Sequence, residues 1–315
     1  MKKEFNLKYS LVTDSGCDLP KSYLDNEEIG CVHLGFYFEN DEKLMNDCDI
    51  SPDDFYSRMR NGEIAKTSAP SPDAFQQVFR PILENGRDIL YIGFDSALST
   101  TVNSARIAAN ELCEEYPDRK ILILDSLCAS AGQGLLVAMT NNRIKQGLSL
   151  DEAYEYASGL APRISHRFTV ETLTYLCRGG RVGKAAAMTG NLLNIKPVLH
   201  ADDEGRLINL FKARGRAKSF TMLLDAYEHT ALSLNSSAEV AVGAENMTFT
   251  NTEYDISDQI VMISHAGCME DAEKLAQMFQ ARFNKAVDMI CSIGPVIGAH
   301  SGPGTVALFF VANER

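Results

Sequence analysis

The stretch "DILYIGFDSALSTTVNSA", Asp88–Ala105, decides the fold prediction because it carries a strand, a polar turn and a helix start in succession. Its first part, Asp88–Phe94, is an apolar run of strand length. The turn that follows carries hydroxyl groups at Ser96, Ser99 and Thr100, and one such group is needed to cap a helix. A strand that passes through a turn into a helix is the repeating unit of an α/β protein.

The same alternation runs through the first half of the chain. Strands are predicted at Tyr9–Thr13, Cys31–Phe38 and Lys120–Asp125, and the last is expected to be buried on both faces because it has almost no polar break. Helices are predicted after two Ser-Pro pairs, which begin at Ser51 and Ser71. Since strands separated by helices require crossover connections, we expect a doubly wound, mostly parallel sheet.

The second half has a different pattern and is expected to form a separate α/β domain with a mixed sheet. Residues Arg167–Leu193 are predicted to be helical with glycine breaks, and Lys196–His200 is predicted to form a hairpin with Leu207–Phe211. Later strands are predicted within 239–246, 258–267, 286–294 and 305–312. The expected domains are 1–162 and 163–315, because "GLAPRIS" interrupts a helix at that point.

Composition argues against several classes of protein. The net charge of −12 argues against general nucleic-acid binding. The eight cysteines include no C-x-x-C pair and the six histidines lack ligand spacing, so we expect free thiols and no metal site. No apolar run approaches the ~18 residues of a membrane span, and the start of the chain has no secretory signal. We therefore expect a cytoplasmic protein without stable membrane insertion.

One segment departs from the acidic balance of the chain. Residues Arg178–Lys218 contain nine Lys or Arg and three Asp or Glu. Two interpretations stay open. The segment is an ordinary solvated face, or it attracts a negatively charged ligand group or an acidic protein partner.

Polar turns indicate where a ligand would bind. In a doubly wound sheet, ligands bind beyond the carboxyl ends of the strands, and "TDSGCD", "FDSALST" and "LDSLCAS" each follow a predicted strand. Thr67 and Ser68 add two hydroxyl groups ahead of another helix, where hydroxyl and N–H groups can bind a carboxylate or a phosphate. Arg181 follows two glycines in "CRGGRVG" and is a candidate for extending into an interdomain cleft. These residues predict an anion site at one edge of the sheet.

The segment "SIGPVIGAHSGPGTVALFF", Ser292–Phe310, places His300 against a Ser-Gly-Pro-Gly turn. From the residues alone, His300 is a catalytic group, part of a phosphate-binding loop, or a residue of a tight turn. No G-x-S-x-G, Walker or G-x-G-x-x-G motif is present, which argues against a nucleotide site and leaves an acyl hydrolase using Ser96 and His300 as the alternative function. A ligand-binding His300 is expected to change its protonation near neutral pH.

Five motifs, in order along nearly the whole chain, resemble those of the DegV family. They are "TDSGCDLP" (T-D-S-x-x-D-L), "TSAPSPDAF" (T-S-x-P-S-P-x-x-F), "SALSTTVNSA" (S-x-L-S-G-T-Y-x-S-A), "LTYLCRGGRVGKAAAMTGNLLNIKPVL" (L-x-x-L-x-x-G-G-R-I…LLNIKPIL) and "GPVIGAHSGPG" (G-P-V-I-G-x-H-x-G-P-G). The chain departs from the family pattern at three positions. Asp95 stands where many members have Ser, Thr100 replaces a Gly, and Val102 replaces an aromatic residue.

The resemblance implies a two-domain protein that buries one long-chain fatty acid in a tunnel between its domains. It implies that a fatty acid kinase, where one exists, phosphorylates the carboxylate and that the protein then carries the acyl-phosphate, with no cofactor and no catalysis of its own. Thr67 and Ser96 fall where the family hydrogen-bonds the carboxylate. The head-group vicinity is expected to include Ser68, Ser99, Arg181 and His300. We expect a monomer, and a docking module that uses the basic Arg178–Lys218 segment is compatible with this function.

Overall fold

The computed structural model describes residues 8–41, 43–183, 194–232, 259–313 and 315. These residues form one parallel sheet, one mixed sheet and a small antiparallel sheet, with helices packed around them. The α/β class and the change from a parallel to a mixed sheet are therefore confirmed. The predicted strand within 239–246 and the end of the predicted helix, 184–193, lie outside the described residues.

The first sheet is entirely parallel and has the strand order β2-β1-β6-β7. Its strands are β1 (Tyr9–Asp14), β2 (Gly30–Val32), β6 (Asp88–Gly93) and β7 (Ile121–Asp125). The helices of this part are α1 (Lys21–Asn26), α2 (Pro52–Arg60), α3 (Pro72–Glu84), α4 (Thr101–Glu115), α5 (Ala131–Lys145) and α6 (Leu150–Leu160). Ser51 and Ser71 cap α2 and α3 through their side chains, as their sequence positions predict.

The prediction that Lys120–Asp125 is buried on both faces is only partly correct, because both faces of the strand pack against hydrophobic core but most of its residues stay partly exposed. Strand β7 is the edge of the parallel sheet, and of its residues only Leu124 is fully buried. Its isoleucines still pack against neighbouring helices, which explains the apolar sequence. An apolar strand that lies at an edge keeps part of each side chain accessible because no further strand covers it.

The prediction of one strand over Cys31–Phe38 is wrong. The segment divides into β2, in the parallel sheet, and β3 (Gly35–Phe38), which pairs with β4 (Met45–Asn46) and β5 (Ala65–Ser68) in the small antiparallel sheet. The break falls where the backbone N–H of Leu34 donates to Ser15 Oγ instead of to a neighbouring strand. A side chain of the first polar turn thus redirects the chain into a second sheet.

The C-terminal sheet is mixed, with the order β10-β9-β8-β13-β11-β12 and one parallel pair, β11 with β12. Its strands are β8 (Ile164–Thr169), β9 (Ile195–Ala201), β10 (Leu207–Arg214), β11 (Met262–His265), β12 (Met289–Ser292) and β13 (Val306–Val311). Its helices are α7 (Thr174–Arg178), α8 (Arg216–Thr230), α9 (Met269–Phe283) and α10 (Pro295–Ser301). The helix predicted to start at Arg167 is wrong there, because Arg167–Thr169 pairs with strands on both sides.

Helix α5 lies between the two large sheets. Twelve of its fifteen residues are buried, which is why the helix has no polar face. The largest hydrophobic core includes residues of both sheets, such as Leu90 of β6 and Phe309 of β13, together with Leu135 of α5. The chain changes sheets at Ile164, and a division into domains 1–162 and 163–315 stays a prediction.

Candidate functional site

A cavity of about 510 Å³ lies between the parallel sheet and the mixed sheet. This volume is in the range of sites that enclose a small molecule, about 300–1,000 Å³. Its lining includes all six residues predicted for the head group, Thr67, Ser68, Ser96, Ser99, Arg181 and His300. The rest of the lining is mainly apolar and includes Phe94, Phe168, Ile293, Val296 and Phe309. The cavity therefore combines a group of polar side chains with a hydrophobic wall.

His300 contacts Thr67 because helix α10 packs against the small antiparallel sheet. Thr67 lies on β5, and its Oγ1 is 2.8 Å from Nε2 of His300, which lies in the last turn of α10. Tyr56 of α2 fixes the helix from the other side by donating a hydrogen bond to the carbonyl of Ile293, at 2.8 Å. The expectation that a glycine turn carries His300 is wrong, because His300 lies within the helix. The turn begins after the helix, at Gly302, which has a φ of 83°.

Burial, with a smaller contribution from the charge of Arg181, lowers the pKa of His300 to about 4. The imidazole is therefore neutral at neutral pH, and the change of protonation expected near pH 7 is moved to a lower pH. Nδ1 of His300 is buried without a hydrogen-bond partner among the described residues. An unpaired acceptor is tolerated better here than an unpaired donor, so we assign the proton to Nε2, which donates to Thr67 Oγ1.

The two glycines before Arg181 have different functions. A Cβ at Gly179 would lie 2.1 Å from Nδ1 of His300, so only glycine lets the imidazole pack against this segment. Gly180 has a φ of 74°, a left-handed conformation that glycine adopts without strain. The first glycine makes room for His300, and the second turns the chain so that Arg181 reaches the cavity.

Arg181 is a half-buried cation that contacts carbonyl groups. Its Nε and Nη2 donate to the carbonyl of Leu98 at 3.1 and 2.9 Å, and Nη1 donates to the carbonyl of Gly179 at 2.5 Å. Burial lowers its pKa. Arg181 forms no ion pair with a carboxylate of the described residues, which leaves its positive charge available to an anion in the cavity.

The hydroxyl groups between β6 and α4 are not equivalent. Ser99 Oγ is 2.8 Å from Thr101 Oγ1 and accepts a hydrogen bond from the N–H of Thr101, so it is used in the local turn. Ser96 is exposed, and its N–H donates to Asp125 Oδ1 at 3.2 Å, whereas its hydroxyl makes no hydrogen bond to the described residues. Thr100 is exposed at the cavity and precedes α4 without capping it through its side chain. Ser96 and Thr100 thus have free hydroxyl groups at the open side of the cavity.

Two of the three departures from the family pattern lie away from the cavity. Asp95 is buried beneath the β9–β10 turn, where a Cβ at Gly205 would lie 2.2 Å from its Oδ2. Its Oδ1 accepts a hydrogen bond from the N–H of Ala97, and burial raises its pKa to about 7. Val102 lies in the core beside α3. Of the three positions, only Thr100 can alter the head-group region directly.

Sequence reasoning missed a polar cluster at the wall of the cavity. Ser130 Oγ donates to Asp18 Oδ2 at 2.5 Å and lies 2.9 Å from Ser264 Oγ, and both serines line the cavity. Asp18 and Ser130 belong to two of the polar turns noted in the sequence, so their positions carried a signal. Ser264 lies in the apolar strand β11 and gave none.

A separate group of residues has metal-binding chemistry. One ligand atom each of His33, Asp47 and Cys48 lies within 4.8 Å of the others, outside the cavity lining. His33 Nδ1 and Asp47 Oδ1 already form a hydrogen-bonded pair at 2.9 Å. Spacing along the chain missed this group because His33 and Asp47 are brought together by β3 and β4.

Comparison with known proteins agrees with this architecture. The model of the DegV family, described as a family of uncharacterised proteins, matches residues 8–313. The chain belongs to the DegV family. A DegV domain-containing protein of Clostridium perfringens is 38% identical over 98% of this chain and 99% of its own length. A DegV domain-containing protein of Lactococcus lactis is 31% identical over 98% of this chain and 99% of its own.

Solved structures of the DegV family have the same fold. A fatty acid (stearic acid)-binding protein from Eubacterium ventriosum is similar with a TM-score of 0.82 and 26% identity, over 96% of this chain and 98% of that chain. A DegV family protein from Thermus thermophilus, whose structure was solved to describe fatty acid binding, has a TM-score of 0.80 and 28% identity, over 97% of this chain and 100% of that chain. Among the described residues of this DegV protein, no helix has both the length and the apolar character needed to span a membrane.

Proposed function

We propose that this protein binds one long-chain fatty acid in the cavity, with the carboxylate at the polar side and the acyl chain along the hydrophobic wall. The observation that carries the proposal is the cavity itself, in which free hydroxyl groups and the cation Arg181 adjoin an apolar lining. The fatty-acid-binding proteins of Eubacterium ventriosum and Thermus thermophilus support the ligand class.

The two ends of such a ligand need different surroundings. Burial of a methylene contributes about 0.8 kcal/mol, so the acyl chain supplies most of the affinity. A carboxylate removed from water requires several hydrogen-bond donors or a cation. Thr67, Ser96 and Arg181 supply them, and the neutral His300 acts through Thr67. Since its Nε2–H donates to Thr67 Oγ1, the Thr67 hydroxyl is free to donate to the carboxylate.

Extraction and mass spectrometry test the ligand class. Purified protein is extracted with organic solvent, and the delipidated protein is then titrated with palmitate and stearate. We expect co-purified fatty acid and saturable rebinding. The absence of any fatty acid, together with no binding on addition, would overturn the proposal.

A pair of arginine variants tests the carboxylate site. Arg181→Met removes the cation beside the cavity, whereas Arg178→Met removes an exposed arginine that lies over the ring of Tyr175. Loss of one charge-assisted hydrogen bond is worth about 1.5–3 kcal/mol, so we expect Arg181→Met to weaken binding about ten-fold or more. Arg178→Met should bind as the wild type does. Equal affinities for the two variants would remove Arg181 from the site.

The proposed role extends to presenting the carboxylate to a fatty acid kinase and carrying the acyl-phosphate. Of the basic segment, Lys212, Arg214 and Lys218 are exposed and form no ion pair with the described residues, and Phe211 of the same edge strand, β10, is 53% exposed. A basic edge with an exposed aromatic ring suits an acidic protein surface.

Charge reversal tests this docking surface. We expect Lys212→Glu with Arg214→Glu to weaken salt-sensitive binding to a fatty acid kinase subunit and to leave fatty acid binding unchanged. Arg106→Glu is the matched control, because Arg106 lies on the exposed face of α4. Unchanged kinase binding in the double variant would exclude this edge.

The contacts of His300 do not favour the alternative of an acyl hydrolase. Nε2 of His300 contacts Thr67, and Ser96 has no hydrogen bond to His300. Turnover of an activated ester that disappears in Ser96→Ala would nevertheless establish hydrolysis.

A further inference from the structure

The side chains of His33, Asp47 and Cys48 bring three kinds of metal ligand together outside the cavity lining. One ligand atom of each lies within 4.8 Å of the others. In a tetrahedral zinc site the ligand atoms are about 3.3–3.6 Å apart, because each lies about 2.0–2.3 Å from the metal. His33 Nδ1 and Asp47 Oδ1, at 2.9 Å, are already closer than this. Movements of about 1 Å therefore suffice to place all three atoms around one ion.

Backbone contacts hold the three residues in two neighbouring segments. His33 lies between β2 and β3, whereas Asp47 and Cys48 lie in a 3₁₀ turn directly after β4. Strand β4 pairs with β3, and the N–H of Asp47 donates to the carbonyl of Leu34 at 3.1 Å. The turn is also closed by its own capping box. The arrangement of the group is thus set by contacts that do not involve the ligand atoms themselves.

The charges around the group favour a cation. The side chain of Asp47 is only 9% exposed, and in the described part of the chain its one salt-bridge partner is His33. Lys21, whose charge acts on His33, is itself paired with Asp25 at 2.8 Å. Residues 41–54 contain six Asp or Glu and one Lys, which gives this surface a negative potential. A divalent cation would neutralise a largely buried carboxylate that no Lys or Arg of the described residues contacts.

The ligand types select the kind of metal. Thiolate and imidazole groups favour zinc, whereas magnesium and calcium take oxygen ligands. Three protein ligands leave the fourth tetrahedral position to a water molecule. His33 and Cys48 are exposed, so an ion reaches them from solvent without opening the fold. Binding releases the thiol proton of Cys48 and displaces the proton from Nδ1 of His33.

We propose that His33, Asp47 and Cys48 bind one zinc ion, with water as the fourth ligand. The ion ties the β2–β3 connection to the turn after β4, beside Leu34, whose side chain lines the cavity. Because the unfolded chain does not hold these ligands together, zinc stabilises the folded protein. The site is separate from the fatty acid site proposed above and does not depend on it.

A cobalt titration tests the site. The full-length protein is reduced, freed of metal with a chelator and titrated with Co²⁺, which absorbs through a charge-transfer band when a thiolate binds it. We expect one ion per chain, the thiolate band, displacement by Zn²⁺ but not by excess Mg²⁺, and a higher unfolding temperature with Zn²⁺. His33→Gln should weaken Zn²⁺ binding about ten-fold or more, at least as much as loss of a residue that only orients a ligand. Cys48→Ser should weaken it similarly and abolish the thiolate band.

Cys113→Ser and His229→Gln are the matched controls. Each removes the same kind of side chain at a position outside the group, on α4 and in the last turn of α8. Both should keep the wild-type affinity and the thiolate band. The absence of a thiolate band in the wild type, equally good binding of Mg²⁺, or equal affinities in the site variants and the controls would overturn the proposal.

Discussion

Replacement of His300 by Gln should change how the stability of the unliganded protein depends on pH. The pKa of His300 is lowered from 6.5 to about 4, first by burial and then by Arg181. The folded protein therefore binds fewer protons at this site than the unfolded chain between these pH values. At about 1.4 kcal/mol for each pH unit, the neutral imidazole contributes up to about 3.4 kcal/mol, all of it present above pH 6.5. This contribution is lost as the pH falls through 4.

The assay compares the wild type with His300→Gln by urea unfolding between about pH 4 and about pH 8. Gln retains a polar group near Thr67 but does not titrate. Asp14, Asp18 and Asp95 titrate in both proteins, so their contributions cancel in the difference between the two free energies of unfolding. We expect the wild type to lose about 2–3 kcal/mol relative to the variant as the pH falls from 7 to 4.

A difference that is independent of pH would refute the assignment of a buried neutral imidazole. A wild type that gains relative stability on acidification would show that a negative group stabilises imidazolium at this position. Addition of a fatty acid provides a second readout in the same samples. A carboxylate beside Thr67 should raise the pKa of His300. The wild type should therefore lose less stability on acidification with the ligand than without it.

Three further substitutions, each at a different contact, have expected outcomes. Gly179→Ala places a methyl group 2.1 Å from Nδ1 of His300, so we expect fatty acid affinity to fall about ten-fold in a titration, whereas Gly183→Ala, with open space around its Cβ, should bind normally. Burial raises the pKa of Asp18 to about 7, so its contribution to stability is present below pH 3.8 and lost as the pH rises through 7. As the pH rises from 4 to 8, the free energy of unfolding of Asp18→Asn, measured with urea, should therefore rise by up to about 4 kcal/mol relative to that of the wild type. Ser149→Ala should cost about 1 kcal/mol in thermal unfolding, because Ser149 and Glu152 form the capping box of α6.

Local signals in the sequence were sufficient where an element depends on its own residues. The Ser-Pro pairs at Ser51 and Ser71 predicted helix starts because the cap and the first-turn proline act within three residues. A similar signal marks α10, which begins with Pro295 and is followed by Gly302. It could have predicted that His300 lies on a short helix. Prediction failed at β2 and β3 because the separation depends on Ser15, a residue far from them along the chain.

The candidate site shows the same division between local and distant information. Thr67, Ser96 and Arg181 stand out because hydroxyl groups and a cation follow turn signals. Ser264 does not, because a serine in an apolar strand is recognised as part of a polar cluster only when its contact with Ser130 is known. Contacts between residues that lie more than a hundred positions apart are fixed by the packing of the two sheets. A local sequence pattern does not predict how the sheets pack.

Helix α10 has a polar contact at each of its ends. Its N-cap amide, at Gly294, binds Asp18, and its last turn holds His300 against Thr67. A helix of this length is stiff, so the distance between Gly294 and His300 stays fixed. The close contact of Gly298 with the ring of Tyr56 also prevents the helix from moving toward α2. One short helix, fixed at both ends and along one side, therefore holds the Asp18 contact and the contact between His300 and Thr67 at a constant separation.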